Sequence, residues 1–322
     1  MYDLIIIGGG PAGMAAAIYA ARKKMNTLVL TRDIGGQTLW SGEIDNYLGF
    51  QLMSGTELAE KFRAHIKRLD SENALYDLEV KEGIEVKEVR RAKYEVGDNK
   101  RADGFEVETT AGEKYLARMS IIASGKIPRK LNIPGENEFL GRGVTYCATC
   151  DAPLFRGKDV AVIGGGNSAL DAAIQLIKIA SKTYLININS KLGGDAVMRE
   201  QVEAKKDKVE ILNAYQAAAI KGNKFVTSLE IKEISSGKIR SLAAQGVFIE
   251  IGSVPSTSFI KNMVKLNEWG EIIIDSKNNA TSCLGIYAAG DVTDVREKQI
   301  VIAAGEGAKA ALGAYDYWVR QN

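Results

Sequence analysis

Residues 4–17 read LIIIGGGPAGMAAA, and residues 160–173 read VAVIGGGNSALDAA. The two stretches align without a gap, so that Gly8, Gly10 and Gly13 fall on Gly164, Gly166 and Ala169. The register persists beyond them, TLVL at 27–30 matching TYLI at 183–186. Each copy therefore reads as a strand, a glycine turn, a helix and a second strand, which is a βαβ unit. In such a unit the first glycine permits the tight turn and the second lets the backbone approach a pyrophosphate. The third position must be small so that helix and strand can close. The free N–H groups and positive end of the helix then face the phosphates. Two copies predict an α/β fold of two Rossmann-like domains and make the first copy a candidate dinucleotide site.

The 322 residues are 46% apolar, enough to bury a substantial core, and 42 Lys+Arg against 40 Asp+Glu leave a net charge of +2. That balance argues against nucleic acid as the partner. The basic clusters Arg22-Lys23-Lys24 and KFRAHIKR (61–68) read as solvated helix faces. The first residues read MYDLIIIGGGPAG, and no apolar run approaches the roughly 18 residues of a membrane span. The expectation is a cytoplasmic protein with no membrane partner.

Beyond the second copy come charged, alternating segments, then GVFIEIG (246–252), ATSCLGIYAAGDVTD (280–294) and a C-terminal helical stretch. The apolar GIYAAGD reads as a buried strand that ends at Asp291, placed to take a hydroxyl of a bound nucleotide. The C-terminal part thus returns to the first domain, and the second is an insertion. The expected division is 1–127 with 247–322 for the first domain and 128–246 for the second. The stretch 70–115, dense in Glu, Lys and Arg, reads as solvent-facing hairpin structure without chemistry of its own.

Cys147 and Cys150 stand in TYCATCDAPLF just before the second copy. A structural zinc site needs four ligands, and the chain offers only Cys283 and His65 besides, both remote in sequence. No metal is expected. Two thiols three apart can instead close a small disulfide ring, one attacking while the other resolves a mixed disulfide. Asp151 follows directly, either as an acid–base group for the leaving thiolate or as a turn residue. Cys283 reads as a buried small apolar residue and His65 as part of an amphipathic helix; neither receives a role.

With these motifs in place, the chain resembles the low-molecular-weight thioredoxin reductases over essentially its whole length. The resemblance is carried by GGGPAG (8–13), GGQ (35–37) with IDNY after it, CATCD (147–151), GGGNSALDAA (164–173) and GIYAAGDV (286–292). It implies FAD in the first domain, held around Gly8, Gly10, Pro11, Ala12 and Gly13. Thr31, Gly35, Gly36, Gln37 and Asn46 would add to that site, together with Gly125, Gly290, Asp291, Gln299 and Ile300. It further implies that Cys150 faces the flavin, that Cys147 attacks the disulfide of thioredoxin, and that Asp151 is the acid. A homodimer whose two domains rotate between states is implied as well. Ala152 departs mildly from the family, which usually has Gly there.

The larger departure is YLININSK (184–191). The adenosine ribose of a dinucleotide sits at the end of that strand, where an acid would hold the 2′-hydroxyl of NADH and arginines the 2′-phosphate of NADPH. NADPH-using members of the family carry a His-Arg-Arg run; this chain has Asn187, Ile188 and Asn189. Charge-assisted hydrogen bonds contribute roughly 1.5–3 kcal/mol each, so two missing arginine contacts cost on the order of 10² to 10⁴ in affinity. The branch that matches is the ferredoxin-dependent flavin thioredoxin reductases, which lack those residues. An NADH- or NADPH-dependent thioredoxin reductase, using Asn187 or Asn189 for the ribose and Lys191 or Arg199 for the phosphate, remains the alternative. A flavin dithiol oxidase that passes electrons to oxygen is the second alternative, and a non-enzymatic redox sensor the third.

Overall fold

The computed structural model describes residues 1–41, 44–69, 76–96 and 100–321. Its first layer is a seven-stranded sheet that begins with β1 (Tyr2–Ile7), β2 (Thr27–Thr31) and β3 (Leu78–Glu82). It continues with β4 (Val86–Val96), β5 (Lys100–Thr109) and β6 (Lys114–Ile122), and far along the chain adds β17 (Ile286–Ala288). The order is β3-β2-β1-β6-β5-β4, with β17 paired to the second half of β6. β1, β2, β3, β6 and β17 run parallel, while β4 and β5 form the antiparallel hairpin expected from the charged stretch. Both faces of β1 are covered: Leu4 and Ile6 enter one apolar core, Ile5 and Ile7 the other. That is why LIII reads as a continuous apolar run rather than an alternation.

Three helices belong to this layer: α1 (Pro11–Arg22), α2 (Gly55–Leu69) and the long C-terminal α6 (Ile300–Gln321). Pro11 opens α1, where its missing N–H costs no helical bond and its fixed φ suits the first turn. α6 lies against α1 so closely that a Cβ on Gly307 would come within 1.9 Å of the Ala12 carbonyl oxygen. His65 and the basic residues at 22–24 are exposed, as are Lys61, Lys67 and Arg68.

The chain leaves this layer through β7 (Lys126–Pro128) and enters a five-stranded parallel sheet. Its members are β8 (Val144–Thr145), β9 (Asp159–Ile163), β10 (Lys182–Asn187), β11 (Val209–Asn213) and β15 (Gly246–Ile249), in the order β11-β10-β9-β15-β8. α4 (Asn167–Ile177) and α5 (Ala196–Glu203) cover it, as does a three-stranded antiparallel meander of β12 (Tyr215–Gly222), β13 (Val226–Glu233) and β14 (Ile239–Ala243). The chain returns through β16 (Ser253–Pro255), which pairs antiparallel with β7, so the outward and return crossings form one two-stranded ribbon.

This arrangement corrects the return boundary at residue 246/247. Gly246–Ile249 pairs with β9 on one side and β8 on the other, at the centre of the second sheet. Its four residues are all buried, so the apolar run GVFI belongs to a two-sided core and not to a connector. No helix among the described residues is long and apolar enough to cross a membrane.

Phe248 of β15 packs edge-on against Phe155, which follows the cysteine pair, with ring centroids 5.0 Å apart. Phe248 is fully buried. Phe248→Ala is therefore expected to lower the unfolding free energy by about 3–5 kcal/mol in urea titrations; a loss under about 1 kcal/mol would contradict the packing described.

Candidate active site

The first glycine turn is built by close approach. Gly8 has φ +116°, and a Cβ there would lie 2.2 Å from the Ala123 carbonyl oxygen at the end of β6. A Cβ on Gly13 would lie 1.8 Å from the Gly8 oxygen, so helix and strand close only with glycine at that place. Gly10 caps α1 without a side-chain partner, and nothing lies within 4 Å of where its Cβ would be. The turn is thus filled by its own backbone at Gly8 and Gly13 and open at Gly10, the point where a ligand would meet the helix N-terminus.

A cleft of about 510 Å³ opens from this turn. Of the residues expected to hold FAD, Gly8, Gly10, Pro11, Ala12, Thr31, Gly36, Gln37 and Asn46 line it, with Gly125, Gly290, Asp291, Gln299 and Ile300. Gly13 and Gly35 do not; Gly13 closes the turn from behind, and Gly35 (φ +118°) packs against Ala59 of α2. Gln37 Nε2 donates to Asp291 at 3.4 Å, and Asn46 Nδ2 donates to Gln299 Oε1 at 3.1 Å, joining residues some 250 positions apart. Burial raises the proton affinity of the Asp291 carboxyl, against the pull of Lys298 and Lys126. Those two lysines also line the cleft and share Glu271, at 3.3 and 2.5 Å. Lys126 was not legible from the motifs, since it follows Gly125 where the chain is already leaving the sheet.

Cys147 and Cys150 form a disulfide with Cα atoms 5.3 Å apart, and both line the same cleft. Cys147 caps the short helix α3 (Ala148–Asp151), and its sulfur accepts the Cys150 N–H at 3.2 Å. Asp151 is buried and does not line the cleft; it accepts a hydrogen bond from Thr145, whose hydroxyl oxygen takes the Cys147 N–H at 3.1 Å. A second carboxyl, unforeseen from the sequence, holds the pair from the other side. Glu250, directly after β15, accepts the Ala148 N–H at 3.1 Å. Burial raises its pKa to about 7, offset in part by that hydrogen bond and reinforced by Asp171. The one signal for it was a carboxylate in an otherwise apolar strand end, GVFIEIG. Cys283 is buried, as read, with Arg91 Nη2 at 3.2 Å from its sulfur.

The second glycine turn keeps the closure of the first. Gly193 N–H bonds the Gly165 oxygen at 2.7 Å just as Gly35 N–H bonds the Gly9 oxygen at 2.8 Å. What surrounds it differs. Asn187 is buried against Gly165, and its amide donates to the Asn189 oxygen (3.1 Å) and to Asn213 (2.8 Å) while accepting the Asn189 N–H (3.2 Å). Ile188 is exposed, Arg199 donates to the Leu192 oxygen at 3.4 Å, and Asn167 accepts the Asp195 N–H at 2.8 Å.

A glycine cradle at a helix N-terminus, a half-buried acid on the cleft wall and a disulfide in the same cleft define a flavin-dependent disulfide oxidoreductase. The chain belongs to the pyridine nucleotide-disulphide oxidoreductase family, whose model matches residues 2–307. It is similar to the thioredoxin reductase of Streptococcus pyogenes, at 35% identity, 99% coverage of both chains and a TM-score of 0.87. Its likeness to the thioredoxin reductase of Giardia duodenalis is 34% identity, 99% of both chains and a TM-score of 0.84. It is also 40% identical over 321 residues to an alkyl hydroperoxide reductase subunit of Pseudomonas putida, covering 99% of this chain and 58% of that protein. The chain thus spans somewhat under three-fifths of the length of that relative. The family implies FAD, and the open Gly10 and the Asp291 wall fit it.

Gly10→Ala separates cradle from fold: the variant should unfold within about 0.5 kcal/mol of the unsubstituted apoprotein, because nothing in the chain meets its Cβ. Its flavin affinity should fall by about tenfold or more, read by equilibrium dialysis. For Glu250, the folded state keeps its proton to about pH 7, whereas the unfolded chain releases it in the ordinary carboxylate range. Stability is therefore lost as pH rises between those values. In oxidised protein Glu250→Gln should be more stable than the unsubstituted chain by about 2–3 kcal/mol above pH 7.5 or so, and the gap should close towards about pH 4.5.

Proposed function

We propose that the protein is an FAD-dependent thioredoxin-disulfide reductase that receives electrons from reduced ferredoxin and passes them through Cys147–Cys150 to thioredoxin. The observation that carries this is the position of the Cys147–Cys150 disulfide in the wall of the cleft that the glycine cradle opens. FAD, when bound there, supplies a carrier that accepts electrons singly and delivers them in pairs. The chain's own work is to hold it and to manage two sulfurs. The N-terminus of α1 and the open Gly10 take the pyrophosphate, and Asp291 with Gln37 takes hydroxyls beyond it. After reduction, the Cys150 N–H is a donor to a thiolate at Cys147, which suits Cys147 as the attacking group. Its sulfur bonds to one sulfur of the thioredoxin disulfide as that disulfide breaks. The Cys150 thiolate then attacks the Cys147 sulfur, releasing reduced thioredoxin and restoring the intramolecular disulfide. Asp151 serves as the acid for the departing thiolate, working beside Thr145.

The choice of ferredoxin rests on the second glycine turn. Asn187, the neutral group best placed for a ribose, spends its amide on Asn189 and Asn213, and Arg199 is bonded to Leu192. Neither an acid nor an arginine stands at residues 187–189. In this reading the second βαβ unit supports the dithiol and binds no pyridine nucleotide. The division is 1–127 and 253–322 for the FAD domain and 128–252 for the inserted one, with the β7–β16 ribbon as the pivot of any rotation between them. The protein works in the cytoplasm as a homodimer. The likeness to the alkyl hydroperoxide reductase of Pseudomonas putida favours a second reading for the acceptor alone, in which the disulfide reduced belongs to a hydroperoxide-reducing partner.

Anaerobic titration of the bound flavin tests the donor. Reduced ferredoxin should bleach it and NADPH and NADH should not; rapid bleaching by either nucleotide would overturn the ferredoxin assignment. Cys147→Ser should give a folded, coloured protein with no disulfide reductase activity. Asn189→Arg should gain no NADPH turnover, because Ile188 and Asn187 still offer the phosphate nothing.

A further inference from the structure

The two central residues of CATC are both held by the second sheet and its helix α4. The Ala148 N–H is bonded to Glu250 at the end of β15, 3.1 Å away. The Thr149 hydroxyl lies 3.5 Å from Gln175 Nε2 on α4, and that same amide donates to Asp171 at 2.7 Å. A carboxyl thus sits directly on the backbone between the two cysteines, largely buried, with a second carboxylate, Asp171, raising its affinity for a proton. The Glu250 backbone is fixed as well. Its N–H bonds the Ile163 oxygen at 2.8 Å, and its carbonyl oxygen lies only 2.3 Å from where a Cβ on Gly164 would be. The backbone that carries the carboxyl is thus tied to β9 and to the second glycine turn, and the carboxyl itself is held by the Ala148 N–H. The charged group that acts on it is Asp171 from α4, which is itself acidic.

We infer that Glu250 is a positioning residue that ties the dithiol turn to the second sheet and binds a solvent proton when the disulfide is reduced. This rests on the redox-active dithiol proposed above. Two-electron reduction of the disulfide breaks the sulfur–sulfur bond and leaves one thiolate and, with one solvent proton, one thiol. The Glu250 carboxyl holds the N–H of the residue next to Cys147 and is already bordered by Asp171, so the new negative charge draws a second solvent proton onto Glu250, and two protons accompany two electrons. The same coupling acts in reverse on the nucleophile. While Glu250 is ionised it disfavours a thiolate at Cys147, whose N–H neighbour it occupies, and once neutral it no longer does. Reduction thereby readies its own nucleophile.

The test is the pH profile of alkylation in protein reduced with excess dithiothreitol and then desalted, with Cys147 identified by peptide mass and the buried Cys283 as internal control. In the unsubstituted protein the logarithm of the Cys147 rate should rise with pH through two inflections. Glu250→Gln keeps an oxygen for the Ala148 N–H but carries no charge; it should show one inflection and react about tenfold faster near pH 7.5 or so. Asp171→Asn, at an exposed position that does not threaten folding, should move the lower inflection to lower pH. Profiles of both variants that superimpose on the unsubstituted one would overturn the inference while leaving the dithiol reading intact. A Cys147–Cys150 pair that dithiothreitol does not reduce would overturn both.

Discussion

A helix that starts on the end of a buried parallel strand can close against that strand only if the side chains between them are nearly absent. That constraint governs this molecule. At Gly13 a Cβ would sit 1.8 Å from the Gly8 oxygen, and at Gly8 it would sit 2.2 Å from the Ala123 oxygen. The closure aims the first N–H groups of α1 at open space beside Gly10, and the walls of the cleft are assembled around that point. Asp291 reaches it from the end of β17 and Asn46 and Gln37 from the loops after β2, because β17 and β2 end on the same edge of one parallel sheet.

The second copy repeats the closure, down to the bond from Gly193 to Gly165 that mirrors the one from Gly35 to Gly9. It puts the result to another use. Beyond the first turn the chain leaves space; beyond the second, Asn187 folds into its own loop and Glu250 turns to Ala148. The inserted sheet holds the disulfide segment, whose Phe155 packs on Phe248 and whose Thr149 approaches Gln175. One supersecondary unit, duplicated, thus provides a ligand cradle in one place and a mount for two sulfurs in the other.

The two uses meet because outward and return crossings are bound to each other. With β7 and β16 paired, Cys147 and Cys150 arrive in the wall of a cleft whose floor is made by residues more than a hundred positions earlier. Lys126 sits on that ribbon and is tied to Glu271 by 2.5 Å, so the crossing itself contributes charge to the cleft. The family defines the oxidoreductase chemistry, and the two bonded sulfurs stand in the cleft wall.

The sequence by itself determined the two βαβ units, the buried strand that leads to Asp291 three residues beyond its end, the hairpin of the charged stretch and the closely spaced thiols. These are local matters, set by glycine spacing, by apolar runs and by a separation of three residues, and each is settled within one short, continuous stretch of chain. Only the tertiary structure decided that Gly246–Ile249 lies between β9 and β8, since a two-sided apolar strand fits the centre of either sheet equally well by pattern. It alone brought Glu250 and Lys126 to the site, because neither belongs to a motif and both arrive by long-range pairing. Glu250 owes its proton affinity to burial and to Asp171 on another element, quantities that exist only once the chain has closed on itself.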